Sequence, residues 1–144
     1  MKLHDGINVY LANHQLLYVK LHNLHWYVRG ANFFALHAKF EELYDEVAET
    51  IDEVAERLLM IGGTPIASLQ GALKVATLKE LEDKTIGCLD SVQVVLKDVE
   101  HLIASCKEVV TLAEKEGDQV TVDMFLEHLA AYQKLAWLLK SHID

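Results

Sequence analysis

The residues best suited to chemistry are one histidine and three carboxylates on one face of a long helical segment. At 100° per residue, Glu41, Asp52 and Glu56 lie about 40°, 60° and 100° around the axis from His37. The apolar stripe of the same segment covers about −40° to −100° and contains Phe40, Val47, Ile51, Val54 and Leu58. The polar face therefore lies beside the core stripe, where the helix can meet a neighbour from outside its own bundle. An imidazole with carboxylate oxygens suits a borderline metal such as ferrous iron.

These side chains are too far apart to bind one metal ion within a single chain. His37 and Asp52 are separated by about 22 Å along a helix axis. The His37/Glu56 and Glu41/Asp52 pairs, however, are centred on the same point of the segment. If two copies pack antiparallel about a two-fold axis there, His37 faces Glu56 of the second copy. Glu41 then faces Asp52 of that copy, and the small Ala48 near the centre lets the helices approach.

Two further observations bear on this metal-site hypothesis. None of the glutamates is followed by histidine three residues later, which is the spacing that carboxylate-bridged di-iron bundles use within one bundle. His25, at the end of the preceding segment, can join the group if a hairpin folds it beside His37. Spacing alone leaves an alternative open, in which the carboxylates coat a solvated helix and both histidines are boundary residues.

Four long segments with helical periodicity must position these residues. Their apolar residues recur at steps of three and four. The segments run from about 3 to 28, 36 to 58, 79 to 115 and 121 to 143. Thr121 is predicted to be the N-cap of the last one, with Asp123 in its first turn. No alternation typical of strands competes with this all-α pattern.

The connections between the segments predict the topology. The first and last are short and so predict antiparallel hairpins. The middle one, roughly 62 to 78, can extend to about 50 Å, which exceeds the length of a helix of about 40 Å. It can cross the whole bundle and start the third helix parallel to the second. This predicts a ferritin-like four-helix bundle with a long crossover, with room there for a short helix. An up-down bundle with a loose middle loop is the alternative.

Composition limits the classes of protein that need to be considered. The chain has 144 residues and a net charge of −9, and its length fits one folded domain over 1–144. Its residues are 51% hydrophobic and 24% charged, a composition that excludes a disordered chain. Neither a membrane-spanning run nor a signal peptide is recognisable, so we expect a cytoplasmic protein with no membrane partner. Cys88 and Cys106 occupy apolar helical positions and are predicted to be buried free thiols.

A family resemblance rests on the motifs from about 21 to 63. The stretches 21–30 (LHNLHWYVRG), 32–37 (NFFALH), 40–44 (FEELY) and 51–57 (IDEVAER) closely resemble the Dps family, the mini-ferritins of the ferritin-like superfamily. The resemblance covers the whole chain in element order. In that family a ferroxidase centre forms between subunits related by a two-fold axis, which matches the geometry inferred above.

The resemblance implies specific roles for individual residues. His25, His37 and Glu41 would come from one subunit, and Asp52 and Glu56 from the other, as metal-binding and catalytic residues. Many family members have aspartate where this chain has Glu41. Trp26 matches the tryptophan that lies beside the family's site. A second acidic set around the fourth long helix resembles the family's three-fold pores that admit cations, and it consists of Asp118, Asp123 and Glu127.

The function implied by this resemblance is iron storage and detoxification. A dodecamer built from two-fold dimers would oxidise Fe(II), preferably with hydrogen peroxide, and store ferric mineral as protection against oxidative stress. The alternative is a DNA-compacting stress protein. Several members bind DNA through a basic tail before the first helix, whereas only Lys2 stands before the helical pattern here, and the net charge of −9 repels a duplex. DNA is therefore not expected as a partner.

Overall fold

The fold is an all-helical bundle. A computed structural model describes residues 1–144. The helices are α1 (Leu3–Tyr27), α2 (Phe33–Met60), α3 (Leu69–Val75), α4 (Cys88–Lys115) and α5 (Gln119–Ile143), with two-residue strands β1 (Val28–Arg29) and β2 (Ile86–Gly87). The prediction of four long helices is confirmed. None of the helices has the length and the apolar run needed to cross a membrane.

The direction of the helices follows from the two short strands. β1 pairs with β2 in parallel, with Val28 opposite Ile86; β1 ends three residues before α2, and β2 directly precedes α4. Consequently α2 and α4 begin at the same end of the bundle and run parallel. The short helix α3 lies within the crossover between them and packs against α1. The ferritin-like bundle with a long crossover is therefore confirmed, and the alternative of an up-down bundle is wrong.

The third long helix begins later than predicted. Periodicity suggested a start near residue 79, but α4 begins at Cys88. The reason is a set of tertiary contacts with α1. The Asn13 side chain on α1 accepts hydrogen bonds from the backbone amides of Thr77 and Leu78, at 2.7 and 2.9 Å, and holds the chain extended there. Leu78 is buried, and Leu81 packs on the core from the loop rather than from a helix.

The N-cap of α5 also differs from the prediction. Asp118, and not Thr121, is the N-cap, and its carboxylate accepts a hydrogen bond from the Thr121 backbone amide at 3.1 Å. Thr121 is buried within the first turn, where its hydroxyl donates to Asp118 at 2.5 Å. Aspartate is as good an N-cap as threonine or better, so the helix begins three residues earlier.

The apolar stripe of α2 packs into the bundle as its periodicity predicts. Phe40, Val47, Val54 and Leu58 are buried, and Ile51 is half-buried. The face carrying Glu41, Asp52 and Glu56 is left at the surface. The predicted burial of the two thiols is confirmed for Cys106 and is only partial for Cys88, which lies at the first turn of α4. The core therefore fixes which face of α2 is available to a second molecule.

Candidate metal centre

The hairpin between α1 and α2 brings the two predicted histidine ligands into contact. His25 lies in the last turn of α1 and His37 in the second turn of α2. Their imidazole rings stack with centroids 3.7 Å apart and planes 13° from parallel. His25 is buried and His37 half-buried, so the pair lies at the edge of the bundle rather than free in solvent.

Reciprocal hydrogen bonds fix the orientation of both rings. His25 Nδ1 lies 2.7 Å from the His37 carbonyl oxygen, and His37 Nδ1 lies 2.7 Å from the His25 carbonyl oxygen. A carbonyl can only accept, so each Nδ1 carries the proton and donates. In the neutral rings both Nε2 atoms therefore keep their lone pairs, which is the form of histidine that binds a metal ion.

A carboxylate and two aromatic rings complete this half of the centre. Glu41 Oε1 lies 3.8 Å from His25 Nε2, on an exposed side chain that can adjust its position. Phe33 stacks on the outer face of His37 at 5.1 Å, and Tyr44 meets the His25 ring edge-on at 5.4 Å. Two imidazole nitrogens and a carboxylate suit ferrous iron. The aromatic rings hold the histidines in place.

The remaining predicted ligands lie elsewhere on α2. Asp52 and Glu56 are exposed, one turn apart, about four turns beyond His37. No group of three or more histidine, cysteine or carboxylate side chains within the chain can hold a metal ion. The chain therefore presents two separate half-sites on one face of α2. Ala48, halfway between them, is also exposed.

The chain is similar to several known proteins over nearly its whole length. The family model for the ferritin-like domain matches residues 4–144. General stress protein 20U of Bacillus subtilis is 42% identical over 142 residues, covering 99% of this chain and 97% of that protein. The DNA protection during starvation protein of Helicobacter pylori is 36% identical over 143 residues, covering 99% of each. The crystal structure of a Dps protein from Bacillus brevis superposes with a TM-score of 0.95 at 40% identity, covering 99% of this chain and 95% of that one.

The chain belongs to the Dps family of ferritin-like proteins. This membership confirms the resemblance drawn from the motifs at 21–63. It does not by itself test the role of any residue, so the ligand set stays a prediction.

A second layer of aromatic side chains surrounds the histidines of this Dps-family chain. His22 donates from Nδ1 to the Tyr18 carbonyl at 2.8 Å, and its ring stacks on Tyr44 at 3.8 Å. Trp26 packs against His22 at 5.4 Å but is 61% exposed. Sequence reasoning placed Trp26 beside the site but missed Phe33 and Tyr44. Their positions, four residues before His37 and three after Glu41, were the available signal.

The three acidic residues predicted for a pore have different surroundings. Asp118 is held as the N-cap of α5 and forms an ion pair with Arg57 Nη2 at 3.1 Å. Asp123 is exposed and accepts a hydrogen bond from the Gln119 amide at 2.7 Å, and Glu127 is exposed. Asp123 and Glu127 lie about one turn apart on α5, and their role in a pore stays a prediction. Asp118 already has a structural role in the chain itself.

Proposed function

We propose that this chain is a ferroxidase subunit that oxidises Fe(II), preferably with hydrogen peroxide, and stores the ferric product as mineral in a hollow shell of twelve subunits. The observation that carries the proposal is the His25–His37 pair, in which both Nδ1 atoms are used in hydrogen bonds and Glu41 lies 3.8 Å from His25 Nε2. The second half-site, Asp52 and Glu56, lies on the same helix face. A second subunit related by a two-fold axis supplies the missing half at each end.

The chemistry assigned to these residues is binding and orientation of the iron substrate. The imidazoles bind Fe(II), and the carboxylates favour the harder ferric product. Two Fe(II) ions each give one electron to one hydrogen peroxide molecule, which takes up two protons and leaves as two water molecules. No hydroxyl radical is released in this reaction. Both reactants of radical chemistry are thereby removed, which accounts for protection against oxidative stress.

The proposed setting is iron homeostasis in the cytoplasm. The names of the relatives refer to general stress and to DNA protection during starvation. Removal of Fe(II) and peroxide protects DNA without contact with it. We therefore do not assign DNA binding to this chain. Separately, we propose that Asp123 and Glu127 guide cations towards the shell interior.

Replacing the second half-site tests this function directly. Asp52→Ala combined with Glu56→Ala should lower the initial rate of ferric absorbance after Fe(II) and peroxide addition at least tenfold, because ligands are lost. Glu42→Ala combined with Glu46→Ala removes two exposed carboxylates that lie about 140° and 180° around α2 from His37, away from the Asp52/Glu56 half-site, and should leave the rate unchanged. Wild-type rates in the Asp52/Glu56 double variant would overturn the site assignment.

Mixing two inactive variants tests whether the site is shared between subunits. In a dimer of a His37→Ala subunit and an Asp52→Ala/Glu56→Ala subunit, one site carries both defects and the other is intact. Random coexpression should therefore recover about a quarter of the wild-type sites, since half of the dimers are mixed. No recovery in mixed shells would contradict a shared site.

Native mass spectrometry should give a shell of about 196 kDa, twelve times 16.3 kDa.

A further inference from the structure

A polar network runs from the buried Tyr10 to the bundle surface, where its exposed end, Glu53, lies next to Asp52 in α2. Tyr10 on α1 has no exposed surface, and its hydroxyl lies 3.1 Å from His128 Nδ1 on α5. His128 Nε2 lies 3.2 Å from Glu53 Oε1 on α2. Burying a phenol and an imidazole costs more than an aliphatic core of the same volume. The proposed iron oxidation does not use this network.

The hydrogen-bond partners of His128 and Tyr10 determine which of their atoms carry protons. The Glu53 carboxylate can only accept, so His128 Nε2 carries a proton and donates it. In the neutral ring His128 Nδ1 then accepts the hydrogen bond from the Tyr10 hydroxyl. Burial raises the pKa of Tyr10 well above its usual value, so the phenol stays protonated. Tyr10 is thus a buried phenol with a proton acceptor already in place.

We propose that Tyr10 and His128 form a redox-active pair, in which Tyr10 gives one electron to a strong one-electron oxidant while its proton moves to His128 Nδ1. The oxidant is the hydroxyl radical, which forms when a single Fe(II) meets peroxide away from the paired site, so the physiological role rests on the proposed function. One electron reduces the radical to hydroxide, and the pair becomes a neutral tyrosyl radical beside an imidazolium. A second Fe(II) then returns the electron, is oxidised to Fe(III), and the proton moves back to the Tyr10 oxygen.

The surroundings of His128 favour this proton transfer. Its side chain is only 12% exposed, and the carboxylate of Glu53 faces its other nitrogen. A carboxylate 3.2 Å away stabilises an imidazolium, and solvent screens only part of its charge although the Glu53 side chain is 54% exposed. The ring of His128 also lies nearly parallel to that of Tyr10, 18° apart with centroids at 6.0 Å. The acceptor is therefore fixed in place before any oxidation.

The chain contains a matched control in a second tyrosine–histidine pair. The Tyr132 hydroxyl lies 2.6 Å from His14 Nε2, closer than in the first pair. His14, however, donates from Nδ1 to the Tyr10 carbonyl, with no carboxylate in reach. Burial lowers the pKa of His14 to about 4, so it resists a second proton. Tyr132 should therefore not yield a stable radical, although its hydrogen bond is shorter.

Cys106 is the other oxidisable group that touches this network. Its thiol is buried and donates to the Phe125 carbonyl at 3.0 Å. Burial raises the pKa of this thiol to about 12, so it is not a thiolate. Cys106→Ala therefore serves as a control for electron transfer through sulfur rather than from the phenol.

Photochemical oxidation of the metal-free protein tests the proposal without iron. Excited tris-bipyridyl ruthenium with persulfate produces a one-electron oxidant, and tyrosyl radicals are followed by absorbance and by electron paramagnetic resonance. We expect a long-lived radical in the wild type. Its yield should fall at least tenfold in Tyr10→Phe and stay within twofold in Tyr132→Phe and Cys106→Ala. An unchanged long-lived radical in Tyr10→Phe would overturn the proposal.

A variant of the proton acceptor provides the second measurement. His128→Ala should shorten the lifetime of the radical at least tenfold, and added imidazole should restore it. A cavity of about 250 Å³ adjoins His128 and Tyr132 and can admit the free ring. An unchanged lifetime in His128→Ala would also overturn the proposal, even if Tyr10→Phe fails to fold. Ferric absorbance is measured separately, so loss of iron oxidation and loss of the radical are distinguishable failures.

Discussion

At the scale of single residues, His14 shows how the bundle keeps a histidine neutral. It is 1% exposed, donates from Nδ1 to the Tyr10 carbonyl and accepts from the Tyr132 hydroxyl. Both ring nitrogens are thus satisfied by the neutral form. Burial disfavours the charged form and lowers the pKa to about 4.

This neutral histidine should make the fold sensitive to acid. Between about pH 6.5 and pH 4 the unfolded chain takes up a proton that folded His14 refuses. The free energy of unfolding should therefore fall as the pH falls through this window, by up to about 3 kcal/mol from this residue. Urea unfolding at several pH values should show that the free energy of unfolding depends less steeply on pH in His14→Gln than in the wild type. His142→Gln, which removes an exposed histidine, should keep the wild-type slope. Equal slopes in all three proteins would contradict this account.

The sequence predicted which residues form the candidate iron site but not how they are held. Helical angles place His37, Glu41, Asp52 and Glu56 on one face because they depend only on the regular geometry of α2. The reciprocal bonds between His25 and His37 depend on the path of the turn from 28 to 32. No local pattern encodes that contact, so only the fold could reveal the tautomer of each ring.

At the scale of elements, one side chain of α1 anchors the end of the crossover. Asn13 has no exposed surface. It accepts from the amides of Thr77 and Leu78, and its own amide donates to the Thr77 hydroxyl at 2.8 Å. The crossover from 76 to 87 has little regular structure of its own. Its path therefore depends on these bonds and on the buried Leu78.

Loss of this anchor should loosen the crossover without removing the long helices. Asn13→Ala leaves two backbone amides unpaired, which should cost about 2–4 kcal/mol. Limited proteolysis should then cut between 76 and 87 at least tenfold faster than in the wild type. Asn23→Ala is the control, because Asn23 makes a single exposed bond to the Glu82 carbonyl at 3.0 Å. Equal cleavage of both variants would rule out Asn13 as the anchor.

A second anchor joins the end of α2 to the start of α5. Arg57 Nε donates to the Thr121 hydroxyl at 3.0 Å, and its Nη2 pairs with Asp118. Burial acts to raise the pKa of Asp118, but the bonds from Thr121 and Arg57 outweigh it and lower that pKa overall. The carboxylate thus stabilises the fold above its unfolded pKa, and this stabilisation is lost as the pH falls through the lowered folded pKa.

Replacing Asp118 should reveal that contribution. Asp118→Asn keeps a possible N-cap but loses the ion pair, which should lower the free energy of unfolding by about 1 kcal/mol at pH 7. The difference from wild type should begin to shrink as the pH falls below about 4, near the unfolded pKa of aspartate, and should vanish below the lowered folded pKa, where both chains lack the charge. Asp123→Asn, an exposed residue of the same helix, should have a smaller effect at pH 7. A pH-independent deficit in Asp118→Asn would contradict the ion pair as the cause.

The start of α4 could not be predicted from the sequence, whereas the presence of four long helices could. Residues 79–87 carry apolar residues at helical spacing, yet no helix forms there, because Asn13 fixes the chain just before them at Leu78 and the pairing of β1 with β2 fixes Ile86 and Gly87 at their end. Tertiary contacts outweighed local periodicity there. The crossover is long enough to span the bundle and so favoured a parallel α2 and α4, but only the pairing of β1 with β2 excludes the up-down alternative.

At the scale of the whole molecule, the negative charge leads us to expect no direct binding of duplex DNA. Each chain has a net charge of −9, and Lys20, a basic residue of α1, is buried in an ion pair with Asp98 at 2.6 Å. Duplex binding depends on clustered positive charge that releases counterions. Micromolar protein should therefore not retard duplex DNA at low salt without magnesium. The same chain with six lysines added before Met1 should retard it, and retardation by the wild type would contradict this prediction.

The pairing of Val28 with Ile86 has a consequence for the order of folding. The α1–α2 and α4–α5 hairpins are made of contacts that are close in the chain and can form quickly. The two strands join positions that only meet after the crossover has closed a long loop, whose entropy is lost before any contact repays it. We therefore expect pulsed hydrogen exchange to protect amides within each hairpin first. Protection at Ile86 and Gly87 should appear last, as the two halves dock.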